Sequence, residues 1–218
     1  MGISLPNADD DHRLKRHRLR IDTPGGRMET IIDDPGGSIN DSGRKGLMLI
    51  AHPHPLQGGS MDNKVVHTLA RVATDHDYVA VRPNFRGVGM SEGQFDHGVG
   101  ETLDLLAIIE FVSKSYPGLP WRLAGFSFGG YVQHRVARHV HSDCVILVAP
   151  AVNLYPFEAP TPGTVLIQGD EDEVVPYADI RAWADHHHVP LTVIPGSGHF
   201  FHGKLQELKQ AVSGLCQW

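Results

Sequence analysis

The sequence predicts an α/β architecture: a mostly parallel sheet covered by helices on both faces. Three observations carry this. Short apolar runs rich in Val, Ile and Leu recur along the chain, namely LMLIA (47–51), YVAVR (78–82), CVILVA (144–149), TVLIQ (164–168) and LTVIP (191–195), with WRLAGF (121–126) as a less purely apolar sixth. Their hydrophobicity is continuous rather than alternating, as a strand covered on both sides requires. Segments with helical spacing separate them, and strands that alternate with helices make parallel units joined by right-handed crossovers.

In chain order, HRLRID and RMETIID flank TPGG and read as an antiparallel hairpin at the sheet edge. After the run 47–51, Asp62 is a plausible N-cap for a helix whose face carries Val65, Val66, Leu69, Ala70 and Ala73. Leu105, Leu106, Ile109 and Val112 mark the next helix, stopped by Pro117-Gly118. Val132, Val136, Ala137 and Val140 mark a third; Ile180, Trp183 and Ala184 a fourth; Leu205, Leu208, Val212 and Leu215 a fifth. Composition makes loops of 33–45, 84–98 and 150–163. No internal repeat or linker divides the 218 residues, which are read as one domain with residues 1–15 as a flexible tail.

Bulk properties narrow the function. Hydrophobic residues at 41% and charged residues at 20% are ordinary for a globular protein. No run approaches the roughly 18 apolar residues of a spanning helix, and the polar N-terminus lacks a signal-peptide pattern. A net charge of −6 gives no reason to expect nucleic acid or an anionic membrane as partner. Two widely separated cysteines, Cys144 in an apolar run and Cys216 near the end, fit a reduced, cytoplasmic protein better than a disulfide-bonded one.

The chemistry concentrates in GFSFGG (125–130), which contains the G-x-S-x-G pattern of a nucleophile elbow. In that device a sharp strand-to-helix turn strains the serine backbone, and flanking glycines remove side chains that would clash. The pattern also occurs at Gly89-Met90-Ser91-Glu92-Gly93. Context separates the two: Ser127 ends a strand and opens a helix, whereas Ser91 lies several residues past Pro83 within a loop and reads as a turn serine. In the fold built around such an elbow, the α/β-hydrolase fold, an acid and then a histidine follow the serine in the chain. QGDEDEVVP (168–176) and PGSGHFF (195–201) each follow a strand directly and so reach the carboxyl edge of the sheet, where sites of open parallel sheets form. His199, preceded by Gly196 and Gly198 in its loop, is the predicted general base, with His202 a weaker candidate at the start of the last helix. Among four clustered acids the spacing G-x-x-D-x-x-V selects Asp172 as the orienting acid, with Asp170 the rival. Acyl transfer also needs donors for the developing oxyanion. These are expected to be the backbone N–H groups of Phe128 and of His54, the only donor between Pro53 and Pro55, which have none. Fourteen Pro-rich residues at 150–163 are too few to build the helical lid often inserted there, so the site should be open.

Taken together, AHPHPLQGGSMDNKVV, RPNFRGVGMSEGQFDHGVGE, GFSFGG, GDEDEVVP and GSGHFF resemble the small, lidless bacterial α/β-hydrolases distantly similar to dienelactone hydrolases. The resemblance spans about residues 47 to 202. It implies an eight-stranded, mostly parallel sheet and serine-hydrolase chemistry. Two departures stand out: His52-Pro53 replaces the frequent His-Gly of the oxyanion loop, and Ser127 replaces the cysteine of dienelactone hydrolases, whose substrate is therefore not carried over.

Rival readings are weaker. Fifteen histidines, including His52, His54 and His186-His187-His188, raise a metal site, but the first two belong to the oxyanion loop and the triplet ends a helix. Gly87-Val88-Gly89 lacks the third glycine of a dinucleotide loop. The expected activity is hydrolysis of a small carboxylic ester through an acyl-enzyme on Ser127, without cofactor or metal, by a monomer or homodimer. A cofactor-free perhydrolase or haloperoxidase, an amide or thioester hydrolase, and a non-catalytic binding protein on the same fold stay open as alternatives.

Overall fold

The computed structural model describes residues 14–36, 43–216 and 218. Its centre is an eight-stranded sheet: β1 (Lys15–Thr23), β2 (Gly26–Asp34), β3 (Gly46–Ala51), β4 (Tyr78–Pro83), β5 (Trp121–Phe126), β6 (Val145–Val148), β7 (Thr164–Gly169) and β8 (Leu191–Ile194). The helices are α1 (Lys64–Asp75), α2 (Val99–Ser115), α3 (Phe128–Val136), α4 (Tyr177–His187) and α5 (Leu205–Leu215). The strand order is β1-β2-β4-β3-β5-β6-β7-β8. β1 pairs antiparallel with β2, and β2 with β4; every pairing from β4 to β8 is parallel.

The continuous apolar runs explain the core. Every residue of β3, β4, β5 and β6 is buried, because successive side chains enter opposite faces of a sheet covered on both. Leu47 and Leu49 join Val81, Leu123 and Leu147 under α2, α3 and α4. Met48 and Ile50 join Ala80, Phe126 and Ile146 under α1 and α5. The outermost strand, β1, is mostly exposed and carries Lys15, Arg16, Arg18 and Arg20, charges that blunt a free sheet edge.

The order of strands reverses at β3. The chain leaves β3 for β4 through α1 on one face, then crosses back through α2 on the other to reach β5. Loops after β3 and β5 therefore part to opposite faces and open a crevice at the carboxyl edge. The 150–163 connection holds turns and no helix, so it builds no helical lid over that crevice.

The structure corrects several local expectations. The N-cap of α1 is Asn63, whose side chain accepts from Val65 N–H, rather than Asp62, whose own N–H is taken by Ser60 Oγ. α3 ends at Val136, so Val140 lies outside it while still packing against the core. Asp33 and Asp34 belong to β2, not to a loop, and residues 37–42 of that loop lie outside the described residues. Residues 1–13 of the expected tail also lie outside them, but Lys15 is already paired with Asp34. Cys144 and Cys216 are bonded to each other, contrary to the reduced pair expected. The reason is topological: α5 packs back across the sheet and returns its end to the start of β6. Closing a loop over 72 residues removes freedom from the unfolded chain, worth on the order of 4 kcal/mol in the chain-entropy picture.

Candidate active site

β5 ends at Phe126 and α3 begins at Phe128, leaving Ser127 alone in the turn between them with φ +54° and ψ −118°. A positive φ is costly for a side chain with a Cβ, so the surroundings must hold it. Ser127 N–H donates to the Val148 carbonyl of β6 at 2.9 Å, and the Ser127 carbonyl accepts from Gly130 N–H. Neighbouring glycines make this possible. A Cβ on Gly125 would run into the Gly129 carbonyl, and one on Gly129 into the carbonyls of Ala51 and His52. The elbow is thus pressed against the end of β3.

The loops after β7 and β8 bring the other two groups. The Ser127 hydroxyl donates to His199 Nε2 at 3.0 Å, and His199 Nδ1–H donates to Asp172 Oδ2 at 2.8 Å. All three residues are buried, and the His199 ring rests against Phe126 at 5.0 Å between centroids. Burial alone would raise the Asp172 carboxyl, but hydrogen bonds from His199 and from the N–H groups of Val175 and Val174 hold it below the usual carboxylate range. Its Oδ2 also accepts from Gln168 Nε2, at 2.9 Å, and the same amide donates to the Val175 carbonyl. Gln168 escaped the sequence analysis. Its signal was available: a lone amide closing the otherwise apolar run TVLIQ, directly before the acidic loop.

Asp170 faces elsewhere. Its Oδ1 accepts from Gly196 N–H at 2.7 Å and so braces the loop after β7 against the loop after β8. His202 is exposed in a turn, and α5 starts only at Leu205. Ser91 is buried with both capacities of its hydroxyl used: it donates to the Asn84 carbonyl and accepts from Glu29 N–H.

Opposite the serine, the loop after β3 carries His54 ahead of a short 3-10 turn over Pro55–Gln57. The His54 carbonyl accepts from Gln57 and Gly59 N–H, and its imidazole Nδ1 accepts from Leu56 N–H. The ring lies between Phe95 and Phe128, with centroids at 4.9 and 5.2 Å. Phe128, as the first residue of α3, has an N–H with no acceptor inside the helix. Ser127, His199, Phe128 and His54 all border one cavity of about 110 Å³, whose far walls are Leu154, Tyr155, Val174 and Phe200. Among the described residues, none of those lining it carries a carboxylate, an ammonium or a guanidinium. Also among the described residues, no group of three or more His, Cys, Asp or Glu is placed to hold a metal ion, and no helix is long and apolar enough to cross a membrane.

Residues 45–161 match the protein family described as serine aminopeptidase, S33. The uncharacterized protein RP471 of Rickettsia prowazekii (strain Madrid E) is 35% identical over 183 residues, covering 77% of this chain and 76% of that one. Among solved structures, XC6422 from Xanthomonas campestris, an α/β serine hydrolase without lid, superposes with a TM-score of 0.85 at 36% identity, covering 91% of this chain and 92% of the other. An α/β serine hydrolase homologue from Coxiella burnetii gives 0.83 at 39% identity, covering 90% and 95%.

Proposed function

The chain belongs to the serine aminopeptidase S33 family of α/β serine hydrolases, and from that premise we propose that it hydrolyses small, uncharged carboxylic esters through an acyl-enzyme on Ser127. The observation that carries this reading is the unbroken chain of hydrogen bonds from the Ser127 hydroxyl through His199 to Asp172 at the edge of a cavity. Ser127 Oγ attacks the ester carbonyl carbon while its proton passes to His199 Nε2. Asp172 keeps the proton of the neutral ring on Nδ1, so Nε2 is free to accept, and stabilises the imidazolium that results. The N–H groups of Phe128 and His54 hold the oxyanion. His199 returns the proton to the departing alcohol; water then attacks the acyl group with His199 again taking a proton, which it gives back to Ser127 Oγ as the Oγ–acyl bond breaks and the acid leaves.

The walls of the cavity favour the ester over the peptide that the family's description suggests. An aminopeptidase must recognise a free α-ammonium, and the described lining offers no carboxylate for it. Leu154, Val174 and Phe200 are exposed apolar side chains at the rim, suited to a neutral acyl or aryl group. With about 110 Å³ and no lid, the site encloses a short acyl chain and leaves a long one in water.

An activity panel tests this. The expected result is that kcat/KM for p-nitrophenyl acetate or butyrate exceeds that for the palmitate ester, with aminoacyl p-nitroanilides barely cleaved. Values rising steadily beyond eight acyl carbons, or an aminoacyl anilide as the best substrate, would contradict the proposal.

A further inference from the structure

His52 is fully buried just past the end of β3, and the hydrogen bonds that join Ser127, His199 and Asp172 do not involve it. Both of its nitrogens are nonetheless engaged by the backbone. Phe85 N–H donates to Nε2 at 2.9 Å, and Nδ1 lies 2.7 Å from the Pro53 carbonyl. An amide N–H can only donate, so Nε2 is the unprotonated nitrogen. Nδ1 therefore carries the hydrogen and donates to Pro53. Burial agrees, holding the imidazolium off until about pH 4.

The carbonyl that receives this bond belongs to the same rigid plane as His54 N–H. In a trans peptide the C=O and N–H point to opposite sides. Drawing the Pro53 oxygen toward the protein interior thus turns the His54 N–H outward, toward the cavity that both residues border. The next plane is fixed independently, by Gln57 and Gly59 donating to the His54 carbonyl. Phe85, the other end of the strut, lies just beyond β4 and packs against His52 with ring centroids 4.4 Å apart.

We infer that His52 is the positioning residue of the oxyanion site: its Nδ1–H, aligned by Phe85, sets the orientation of the His54 amide that stabilises the transition state. This rests on the reading above, in which that amide receives the oxyanion. The role predicts a particular pattern of loss. An oxyanion forms only in the transition state, so mis-aiming its donor lowers kcat and spares KM.

Three variants read this out. Asn at position 52 places an amide donor where Nδ1–H stands, whereas Gln reaches the position of Nε2 and leaves the Pro53 carbonyl without its donor. For His52→Ala and His52→Gln, kcat should fall about 10²- to 10³-fold with KM within about threefold, the size of effect seen when one oxyanion donor is lost. His52→Asn should recover to within about tenfold of the natural enzyme. Affinity for a trifluoromethyl ketone, which forms an oxyanion on attack, should fall in the same order. If the Ala variant does not fold, the Asn and Gln pair still decides. Equal kcat in those two, or losses confined to melting temperature and KM, would overturn the inference and leave the ester-hydrolase reading standing. A natural enzyme that is never labelled at Ser127 by a fluorophosphonate would instead overturn that reading, and this one with it.

Discussion

Two segments of this chain spell G-x-S-x-G, at 89–93 and at 125–129, and both serines are buried to the same degree. What differs is how their hydroxyls are used. Ser91 sits in a turn, and its hydroxyl ties β2 to the loop after β4 by bonding two backbone groups. Ser127 sits between a strand and a helix, at a strained φ, with its hydroxyl directed to an imidazole. The Ser91 hydroxyl donates and accepts within the backbone, while among the described residues the Ser127 hydroxyl meets only the imidazole of His199. Residue type and spacing are shared, so what sets the two apart is the backbone that follows the strand.

The largest effect should come from breaking the second segment. Ser127→Ala should lower kcat by roughly 10³ to 10⁶ with the fold intact, as judged by unchanged circular dichroism and melting temperature. Ser91→Ala should leave kcat within a few-fold. It strands the buried Glu29 N–H and Asn84 carbonyl instead, so chemical denaturation should show a loss of about 1–3 kcal/mol.

The acids offer the same contrast on a smaller scale. Asp172→Asn should cut kcat by about 10³ to 10⁴, because the amide no longer enforces the right tautomer of His199. Asp170→Asn keeps an oxygen for Gly196 N–H and should cost about tenfold or less. Steady-state kinetics on the two purified variants would show which loop acid serves the histidine, and a reversed ranking would move the role to Asp170.

The smallest effect concerns a buried polar group that has not been satisfied as those of Ser91 have. Among the described residues His134 Nε2 has no hydrogen-bond partner, and its ring lies between Phe157 and Trp183. Burial holds its imidazole down at about 4. The unfolded chain takes a proton on this residue near its ordinary value of 6.5, while the folded protein does not until about 4. Stability from this group is therefore complete above about pH 6.5 and falls as the pH drops toward 4. Thermal melts across that window should show a decline to which buried His52, held down to about 4 in the same way, also contributes, so His134→Phe should make it shallower without abolishing it and change little at pH 7. A decline as steep in the variant would assign it elsewhere.

How much of this was legible follows from which forces are local. The six parallel strands announced themselves because burial on both faces demands unbroken apolar runs. That Ser127, Asp172 and His199 would meet was legible because each stands on the turn or loop that follows such a run, and the fold brings the ends of those strands to one edge. Gln168 stands out as a lone amide closing an apolar run, but its role was not legible because its partner lies four residues on, across a turn whose shape the sequence does not spell. Asp62 and Asn63 are equally good caps in isolation, and only the Ser60 turn chooses between them. The pairing of Cys144 with Cys216 depends on where α5 docks, a tertiary fact with no local signature. His52 drew notice as part of the oxyanion loop and as a candidate metal ligand, but its bracing role was not legible, since its two partners are backbone groups of Pro53 and of the distant Phe85.

One measurement bears most directly on the central claim, that the strand-to-helix turn makes Ser127 the nucleophile while the same motif at Ser91 does not. The folded protein is treated with a fluorophosphonate, digested, and the modified residue located by tandem mass spectrometry. A single adduct on Ser127, absent from Ser127→Ala and retained in Ser91→Ala, is the predicted result. An adduct on Ser91, or ester turnover that persists while Ser127 stays unmodified, would contradict the account.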